Sequence, residues 1–222
     1  MDTKSALISK ATELLAASKT GDISTRAVCD AVGVGQPVLY RIFGDKDGLM
    51  AAVVDEAWSA YIASKRRAEA SNDPVEDLRH GWDNHTAFAL ANPHAYRLLF
   101  ATPLTTRPSS LDQAMELLLG ILRRVAEQGR LRVSPEEAAR IVMAANSGIA
   151  LGLILRPEQY SGMNASDEVR DATLRSILAE TTTLEADAPS VAATTLQAHL
   201  ADTDAFTPAE AALLTEWLTR LQ

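Results

Sequence analysis

The segment Ile23–Asp47 reads ISTRAVCDAVGVGQPVLYRIFGDKD and contains two short helical patterns on either side of Gly33-Val34-Gly35. Ser24 precedes the first pattern, and a serine hydroxyl there accepts a hydrogen bond from a free backbone N–H of the first turn. Gly33 follows its last apolar residue and is suited to end a helix, because glycine adopts the left-handed conformation readily. The segment therefore begins with one capped helix and a tight turn.

A second helix is predicted to begin at Gln36-Pro37, since proline is well tolerated in the first turn of a helix. Leu39, Ile42 and Phe43 recur at helical spacing and form its apolar face, and Gly44 ends it. Two helices joined by a tight turn that contains glycine are typical of the helix-turn-helix motif. The second helix is short, as expected of an element whose outer face enters the major groove of DNA.

Composition predicts an all-α protein in which any contact with nucleic acid is local. The chain has 222 residues, of which 47% are hydrophobic and 5% aromatic, and its formal net charge is -8. Residues 1–47 hold six basic and six acidic side chains, so the acidic excess lies beyond residue 47. A polycation that binds nucleic acid with its whole surface is thereby excluded.

The single cysteine, Cys29, cannot form an intrachain disulfide and fits a reducing compartment. Its place inside the first helix of the motif favours a buried structural thiol, with a redox role as the alternative. The chain opens without a signal-peptide pattern, and the apolar stretch 141–155 is interrupted by Asn146 and Ser147 and is short for a membrane span. We therefore expect a cytoplasmic protein that does not contact a membrane.

Helical periodicity and capping residues predict a succession of helices along the whole chain. An amphipathic helix over 3–18 covers the two motif helices, and a long fourth helix starts after Asp45. Further helices are predicted over 74–91, from Pro93, from Ser109 or Ser110 to about 128, from Ser134 to Leu155, from Asn164 to about Leu184, and from Thr207 to Leu221, with a linker over 187–191.

The N-terminal ~55 residues resemble the TetR family of bacterial transcriptional repressors. The resemblance is carried by the opening amphipathic helix and by these motifs in order: Ile23-Ser24-Thr25, Val28, Ala31-Val32-Gly33-Val34, Leu39-Tyr40-Arg41-Ile42-Phe43 and Lys46-Asp47-Gly48-Leu49. The other ~165 residues are similar only in layout, a bundle of helices with two long late ones. The inducer therefore cannot be inferred from the resemblance.

The resemblance implies eight DNA-binding residues, namely Thr25, Arg26, Gln36, Pro37, Val38, Tyr40, Arg41 and Lys46. Thr25, Tyr40 and Lys46 are similar to the family's phosphate contacts, which suits hydroxyl and ammonium groups near helix N-termini. Arg26 and Gln36 look like readers of guanine and adenine edges. Pro37 and Val38 would touch thymine methyl groups, and Arg41 lies next to this face and within reach of phosphate.

Three of these residues have a structural alternative. Tyr40 could instead be an aromatic of the domain core, Arg26 a solvated surface charge, and Lys46 a charged residue at the start of the fourth helix. Leu39 and Phe43 are expected in the core.

Aromatic and polar residues of the later helices predict a small-molecule pocket, since such pockets have apolar walls with a few polar groups. The residues selected are Trp58, Tyr61, Trp82, His85, Phe88, Tyr96, Phe100, Met115 and Asn146. The alternative for each is a place in the hydrophobic core. His85 and Asn146 lie on apolar faces, so both are expected to have hydrogen-bond partners if buried.

The predicted architecture is all-α, with an N-terminal three-helix helix-turn-helix DNA-binding domain over residues 1–47 and a C-terminal helical ligand-binding and dimerisation domain over 48–222. Small residues over 144–152 permit close approach of another helix. The resemblance implies that two late helices, about 135–155 and 165–185, pair with their copies in a second subunit. Close packing within one chain is the alternative.

We therefore expect a homodimeric transcriptional regulator, a repressor that binds a near-palindromic double-stranded operator and is released by a small, apolar effector. An activator of the same fold is one alternative. A helical enzyme or small-molecule binding protein that does not use DNA is another. Against the enzyme, no catalytic triad, Cys/His pair or paired carboxylates show a recognisable spacing, and no phosphate loop is present. The histidines lack a metal-ligand spacing, so neither metal nor cofactor is predicted.

Overall fold

The computed structural model describes residues 2–18, 21–67, 70–160, 164–179, 188–200, 203 and 205–221. Within these residues the secondary structure is helical and contains no strand, which confirms the expected all-α fold. The α-helices are α1 (Thr3–Ala17), α2 (Thr25–Val32), α3 (Gln36–Phe43), α4 (Lys46–Arg67), α5 (Pro74–Ala91), α6 (Pro93–Ala101), α7 (Ser109–Glu127), α8 (Pro135–Leu155), α9 (Ala165–Ile177), α10 (Ala188–Leu200) and α11 (Pro208–Thr219). A short 3₁₀ helix spans Pro157–Tyr160.

The chain divides into two compact units. The first comprises Met1–Ala68 and Phe88–Ala114, and the second comprises Glu69–Ala87 and Met115–Gln222. The predicted helix-turn-helix segment, residues 1–47, lies within the first unit together with α4 and α6.

In the first unit, α1 packs on α2 and α4, and α3 packs on α2 and α4. The centre of this packing is apolar, because Leu7, Leu15, Val28, Leu39 and Leu49 are at most 1% exposed. Burying a leucine or valine side chain contributes roughly 1.5–3 kcal/mol, so these five residues help to order short helices that would not be stable alone.

Carboxylates of α4 hold the segment between α6 and α7. Asp47 accepts hydrogen bonds from the backbone N–H and the hydroxyl of Thr105, at 2.9 and 2.6 Å. Two turns further along α4, Asp55 accepts from the backbone N–H of Ser110 at 2.9 Å and from the hydroxyl of Ser109 at 3.1 Å. Asp55 therefore caps α7 with a side chain from another helix.

In the second unit, the core is formed by α5, α7, α8 and α9, with Leu78, Trp82, Leu122, Val125 and Ile177 each at most 2% exposed. α8 and α9 pack against each other along their length. α10 and α11 pack together, and Ser190 and His199 of α10 hydrogen-bond to the backbone carbonyls of Arg132 and Glu127.

Two expectations need correction. α9 ends at Ile177 and not near Leu184, because Leu178 leaves the helix and pairs with Leu131 in an isolated antiparallel bridge. Residues 180–187 lie outside the described part of the chain. The predicted linker over 187–191 is helical from Ala188 onward, as the first turn of α10.

α8 includes the apolar stretch 141–155. The apolar stretch 141–155 is short for a membrane span, but the helix begins at Pro135 and has 21 residues, and by length and composition it could cross a membrane. Core helices pass the same test. Ala138, Ala139, Val142 and Ile149 of α8 lie in the core of the second unit.

Candidate nucleic-acid interface

The turn between α2 and α3 forms as the sequence predicts. Ser24 accepts a hydrogen bond from the backbone N–H of Ala27 and caps α2. Gly33 ends the helix in the left-handed region with φ of 77°, and the N–H groups of Gly33 and Val34 both donate to the carbonyl of Cys29. α3 begins at Gln36, shortly after this loop, and Pro37 lies in the first helical turn of α3.

α3 has one buried anchor and an exposed outer face. Leu39 is fully buried, and Ile42 and Phe43 are half-buried on the same side. The side chains of Gln36, Pro37, Tyr40 and Arg41 are exposed, and Val38 is half-buried. Four of the predicted DNA contacts of α3 are thus solvent-exposed on a helix that is fixed to the domain by its opposite face.

Tyr40 is 43% exposed, which excludes the alternative that it is an aromatic of the domain core. Its hydroxyl lies 3.4 Å from the hydroxyl of Thr25, the first residue of α2. The structure therefore brings these two predicted phosphate contacts together, although they are 15 residues apart in the chain. Adjacent hydroxyls on two helices suit oxygens of one phosphate or of neighbouring phosphates.

Arg26 projects into solvent, with 81% of its side chain exposed. Its guanidinium lies 3.8 Å from the carboxylate of Asp30, one turn along α2, and that side chain is 72% exposed. An exposed pair of this kind contributes little to stability. Releasing Asp30 to reach a base edge would therefore cost Arg26 little.

Lys46 forms an ion pair that sequence reasoning missed. Its ammonium group donates to the carboxylate of Asp22, which precedes α2. This hydrogen bond is the largest cause that holds the pKa of Asp22 below its usual value. The two residues are 24 positions apart, so no local pattern could reveal the pair, and a phosphate at Lys46 would have to compete with Asp22.

Cys29 is a buried thiol, as expected, with 1% of the residue exposed. Burial raises the pKa of the thiol, so it stays protonated at neutral pH. The thiolate is the reactive form, and this environment therefore disfavours the redox alternative.

The residues predicted to line a ligand pocket fall into both units. Five aromatic residues of the first unit contact one another: Trp58, Tyr61, Phe88, Tyr96 and Phe100. Ring centroids are 4.7 Å apart for Trp58 and Phe88 and 4.6 Å apart for Tyr96 and Phe100. Trp58 and Tyr96 are fully buried, and burial raises the pKa of both Tyr61 and Tyr96. We call these five residues the aromatic cluster.

The other four residues lie in the second unit. Trp82, His85 and Asn146 are buried, and Met115 packs on the core. Asn146 donates to the backbone carbonyl of Trp82 at 3.2 Å and accepts from the hydroxyl of Thr86 at 3.2 Å. Asn146 therefore has the hydrogen-bond partners that its place on an apolar face required.

Two residues of this polar network were not selected from the sequence, Thr86 and Ser166. The indole N–H of Trp82 donates to the hydroxyl of Ser166 at 3.0 Å, and the hydroxyls of Thr86 and Ser166 are 3.3 Å apart. Thr86 lies one turn after Trp82 on the same face of α5, which is the signal that could have found it. Ser166 comes from α9 and is visible only in the fold.

Among the residues that the structure describes, no group of three or more His, Cys, Asp or Glu side chains is arranged to hold a metal ion.

A family model described as bacterial regulatory proteins, tetR family, matches residues 7–53. The matched range contains most of α1, all of α2 and α3 and the start of α4. The recognition made from the sequence motifs is thereby confirmed. No curated protein sequence matches the chain.

Solved structures of TetR-family regulators share the fold over most of the chain. A tetR family transcription regulator from Shewanella sp. PV-4 matches with a TM-score of 0.63 and 19% identity, covering 81% of this chain and all of that one. PfmR from Thermus thermophilus matches with a TM-score of 0.53 and 24% identity, over 76% of this chain and 97% of PfmR.

A third structure is NalD from Pseudomonas aeruginosa, the secondary repressor of the MexAB-OprM multidrug efflux pump. It matches with a TM-score of 0.57 and 15% identity, over 80% of this chain and 96% of NalD. At such identities the likeness shows a shared fold.

Proposed function

We propose that this chain is a transcriptional regulator of the TetR family and that it acts as a homodimeric repressor, which leaves a near-palindromic operator when a small effector binds. The observation that carries the proposal is the outer face of α3. Gln36, Pro37, Tyr40 and Arg41 are exposed there, on a short helix that Leu39 anchors to the domain.

Each residue of this surface has a chemical role in the proposal. Gln36 and Arg26 read base edges, because an amide pairs in two places with adenine and a guanidinium with guanine. Thr25, Tyr40, Arg41 and Lys46 bind phosphates and set the position of α3 in the major groove. Pro37 and Val38 contact thymine methyl groups. In this proposal Gln36 and Arg26 determine which operator sequence is preferred, and the positive charges of Arg41 and Lys46 make binding depend on salt.

Homodimer formation is supported by the open, apolar side of α8. The most apolar 18-residue segment of α8 has a mean hydropathy of 1.7, but only 39% of this segment is buried within the protomer. A Cβ atom at Gly148 would meet no other atom within 4 Å, and Leu155 is 51% exposed. An apolar helix face of this kind is typical of a subunit interface. We therefore place the second subunit on α8 and α9.

The effector is proposed to act through α4. This helix begins three residues after α3, and Trp58 and Tyr61 on it belong to the aromatic cluster. An apolar ligand that inserts among these rings would favour a position of α4 in which the two recognition helices no longer match successive major grooves. The ligand needs only to bind this conformation more tightly than the DNA-bound one. An effector that strengthened operator binding would contradict this mechanism and indicate a corepressor.

Two alternatives predict different outcomes in one reporter experiment. A promoter that overlaps the duplex selected by the protein is placed before a reporter gene, and the chain is expressed in the same cells. A repressor lowers expression, an activator raises it, and a protein that does not use DNA leaves it unchanged. The control is the triple variant Gln36→Ala, Tyr40→Ala, Arg41→Ala, whose substitutions are all at exposed positions and therefore leave the fold intact. We expect repression that the triple variant abolishes, in the cytoplasm where the operator lies.

A further inference from the structure

A polar cavity lies between α4 and the start of α7, within the first unit. Its volume is about 520 Å³, and its polar lining includes Asp55, Ser59, Arg66 and Arg67 from α4 with Ser110 and Gln113 from α7. The cavity is open to solvent. None of these residues belongs to the aromatic cluster or to the proposed DNA-binding surface, which comprises Thr25, Arg26, Gln36, Pro37, Val38, Tyr40, Arg41 and Lys46.

The cavity and the aromatic cluster use different faces of α4. Asp55, Ser59 and Arg66 are separated by four and seven residues and share one stripe of the helix. Trp58 and Tyr61 of the aromatic cluster lie three residues apart on another stripe. A molecule in the cavity would therefore contact side chains other than those expected to hold the apolar effector.

The carboxylate of Asp55, which lines the cavity, already accepts hydrogen bonds from other residues of the protein. Both carboxylate oxygens of Asp55 accept hydrogen bonds from the start of α7, from the N–H of Ser110 at 2.9 Å and from the N–H and hydroxyl of Ser109 at 3.3 and 3.1 Å. The positive end of the α7 dipole further offsets this charge.

The positive charges remain available. Arg66 donates to the side-chain oxygen of Gln113 at 2.9 Å, and within the described residues neither Arg66 nor Arg67 forms an ion pair. The lining thus carries two guanidinium groups and one carboxylate whose oxygens already accept hydrogen bonds, in a chain of formal net charge -8. Guanidinium groups bind carboxylate and phosphate oxygens through paired, charge-assisted hydrogen bonds.

Ser110 gives an independent indication of a ligand. The residue is 3% exposed, and its hydroxyl is buried without a hydrogen-bond partner among the described residues. Such a group is costly to bury unless something bonds to it. Ser110 lines the same cavity as Arg66 and Arg67, so rotation of its side chain toward the cavity would bring the hydroxyl to a polar ligand.

We propose that this cavity binds a small oxyanion, the carboxylate or phosphate group of a polar metabolite. Arg66 and Arg67 hold the charge, and the hydroxyl of Ser110, which is buried in the ligand-free protein, turns toward the cavity and bonds to the ligand. The site is separate from the DNA-binding surface, so it is tested without DNA and stands or falls independently of the repressor assignment.

The first test measures binding of inorganic phosphate and of succinate to the full chain by calorimetric titration up to about 20 mM, with sodium chloride holding the ionic strength constant. We expect saturable binding of at least one of the two, which identifies the preferred oxyanion. The double variant Arg66→Gln, Arg67→Gln should weaken it tenfold or more. Arg156→Gln, at an exposed position just beyond α8, is the control for net charge and should change the Kd by less than twofold. Absence of saturable binding of either anion, or equal binding by the double variant, would overturn the proposal.

The second test uses the neighbouring serines. Ser110→Ala removes an unpaired hydroxyl, so it should leave the thermal midpoint of the ligand-free protein unchanged or raised while weakening anion binding several-fold. Ser109→Ala removes a hydrogen bond to Asp55 and should lower the midpoint. If Ser110→Ala lowers the midpoint and leaves the Kd unchanged, the hydroxyl serves only the fold and the proposed role of Ser110 is wrong.

Discussion

Single side chains of the proposed DNA-binding surface are expected to divide into readers of sequence and binders of phosphate. Gln36→Ala should change the preferred base at one operator position, because an amide contact to an adenine edge provides roughly 1–3 kcal/mol of discrimination. Lys46→Ala should weaken binding to all sequences and reduce the slope of log K against log salt by about one. Fluorescence anisotropy with operator variants, over a range of salt concentrations, measures both effects. If the two variants behave alike, the roles assigned to Gln36 and Lys46 are wrong.

Lys65 should make stability depend on alkaline pH. Its ammonium group lies 5.3 Å from the centroid of the Tyr61 ring, and burial lowers its pKa to about 8. An unfolded lysine titrates near 10.4, so between pH 8 and about 10.4 the unfolded chain holds a proton that the folded chain has released, and stability rises with pH. Lys65→Met should remove this rise. Urea unfolding at about pH 7.5 and 9.5 is the measurement, with the exposed Lys4→Met as control. An unchanged rise in Lys65→Met would show that another group is responsible.

Residues were predictable from sequence where their environment is set by their own helix. The burial of Leu39 follows from the helical period of α3 alone, whereas the exposure of Tyr40 was one of two possibilities that the sequence left open. The ion pair of Lys46 with Asp22 does not follow from a helical period, because only the packing of α4 beside the loop before α2 brings the two side chains together.

The turn between α2 and α3 can be tested by comparing two glycine substitutions that are expected to change stability in opposite directions. Gly33 has φ of 77°, and a Cβ there would meet no atom within 4 Å, so Gly33→Ala should destabilise the protein by about 1–2 kcal/mol through backbone strain alone. Gly120 lies exposed inside α7, and a Cβ there would likewise meet nothing. Gly120→Ala should therefore stabilise by about 0.5–1 kcal/mol. Denaturant unfolding compares the two, and equal signs would contradict this account of the turn.

Helix starts were predicted better than helix ends. Ser24, Ser134 and Thr207 each cap the helix that the sequence assigned to them. The predicted end of α9 was wrong because the helix end is set by pairing with another segment, residues 130–132. The N–H of Arg132 donates to the carbonyl of Ile177, and the N–H of Ala179 donates to the carbonyl of Arg130. Such pairing between distant segments leaves no trace in local periodicity.

At the scale of the whole molecule, the proposed homodimer depends on the open face of α8. Gly148→Arg adds a large charged side chain where the protomer has free space, so the protomer should still fold. In the proposed interface the same side chain would be buried without a partner, which is costly. We expect sedimentation to show a monomer and operator affinity to fall by at least a hundredfold. A stable dimer of Gly148→Arg would place the interface elsewhere.

The helical layout and the exposed outer face of α3 were accessible from sequence because each depends on short patterns. The arrangement of the predicted pocket residues in space could not be predicted from the sequence. The rings of the aromatic cluster belong to the first unit, whereas Trp82, His85 and Asn146 belong to the second, and periodicity assigns a residue to a helix face without saying which helix covers it. Whether these residues form one effector pocket stays a prediction.

The most direct test of a dimeric, sequence-specific regulator is selection of duplexes from a random DNA pool by the purified protein at near-physiological salt. The account predicts a consensus of two half-sites related by two-fold symmetry, with centres about one helical turn (~34–36 Å) apart. The selection is repeated after denaturing and refolding, which strips any bound ligand that would hold the protein off DNA. A folded, dimeric protein that enriches no sequence in either form would contradict the account.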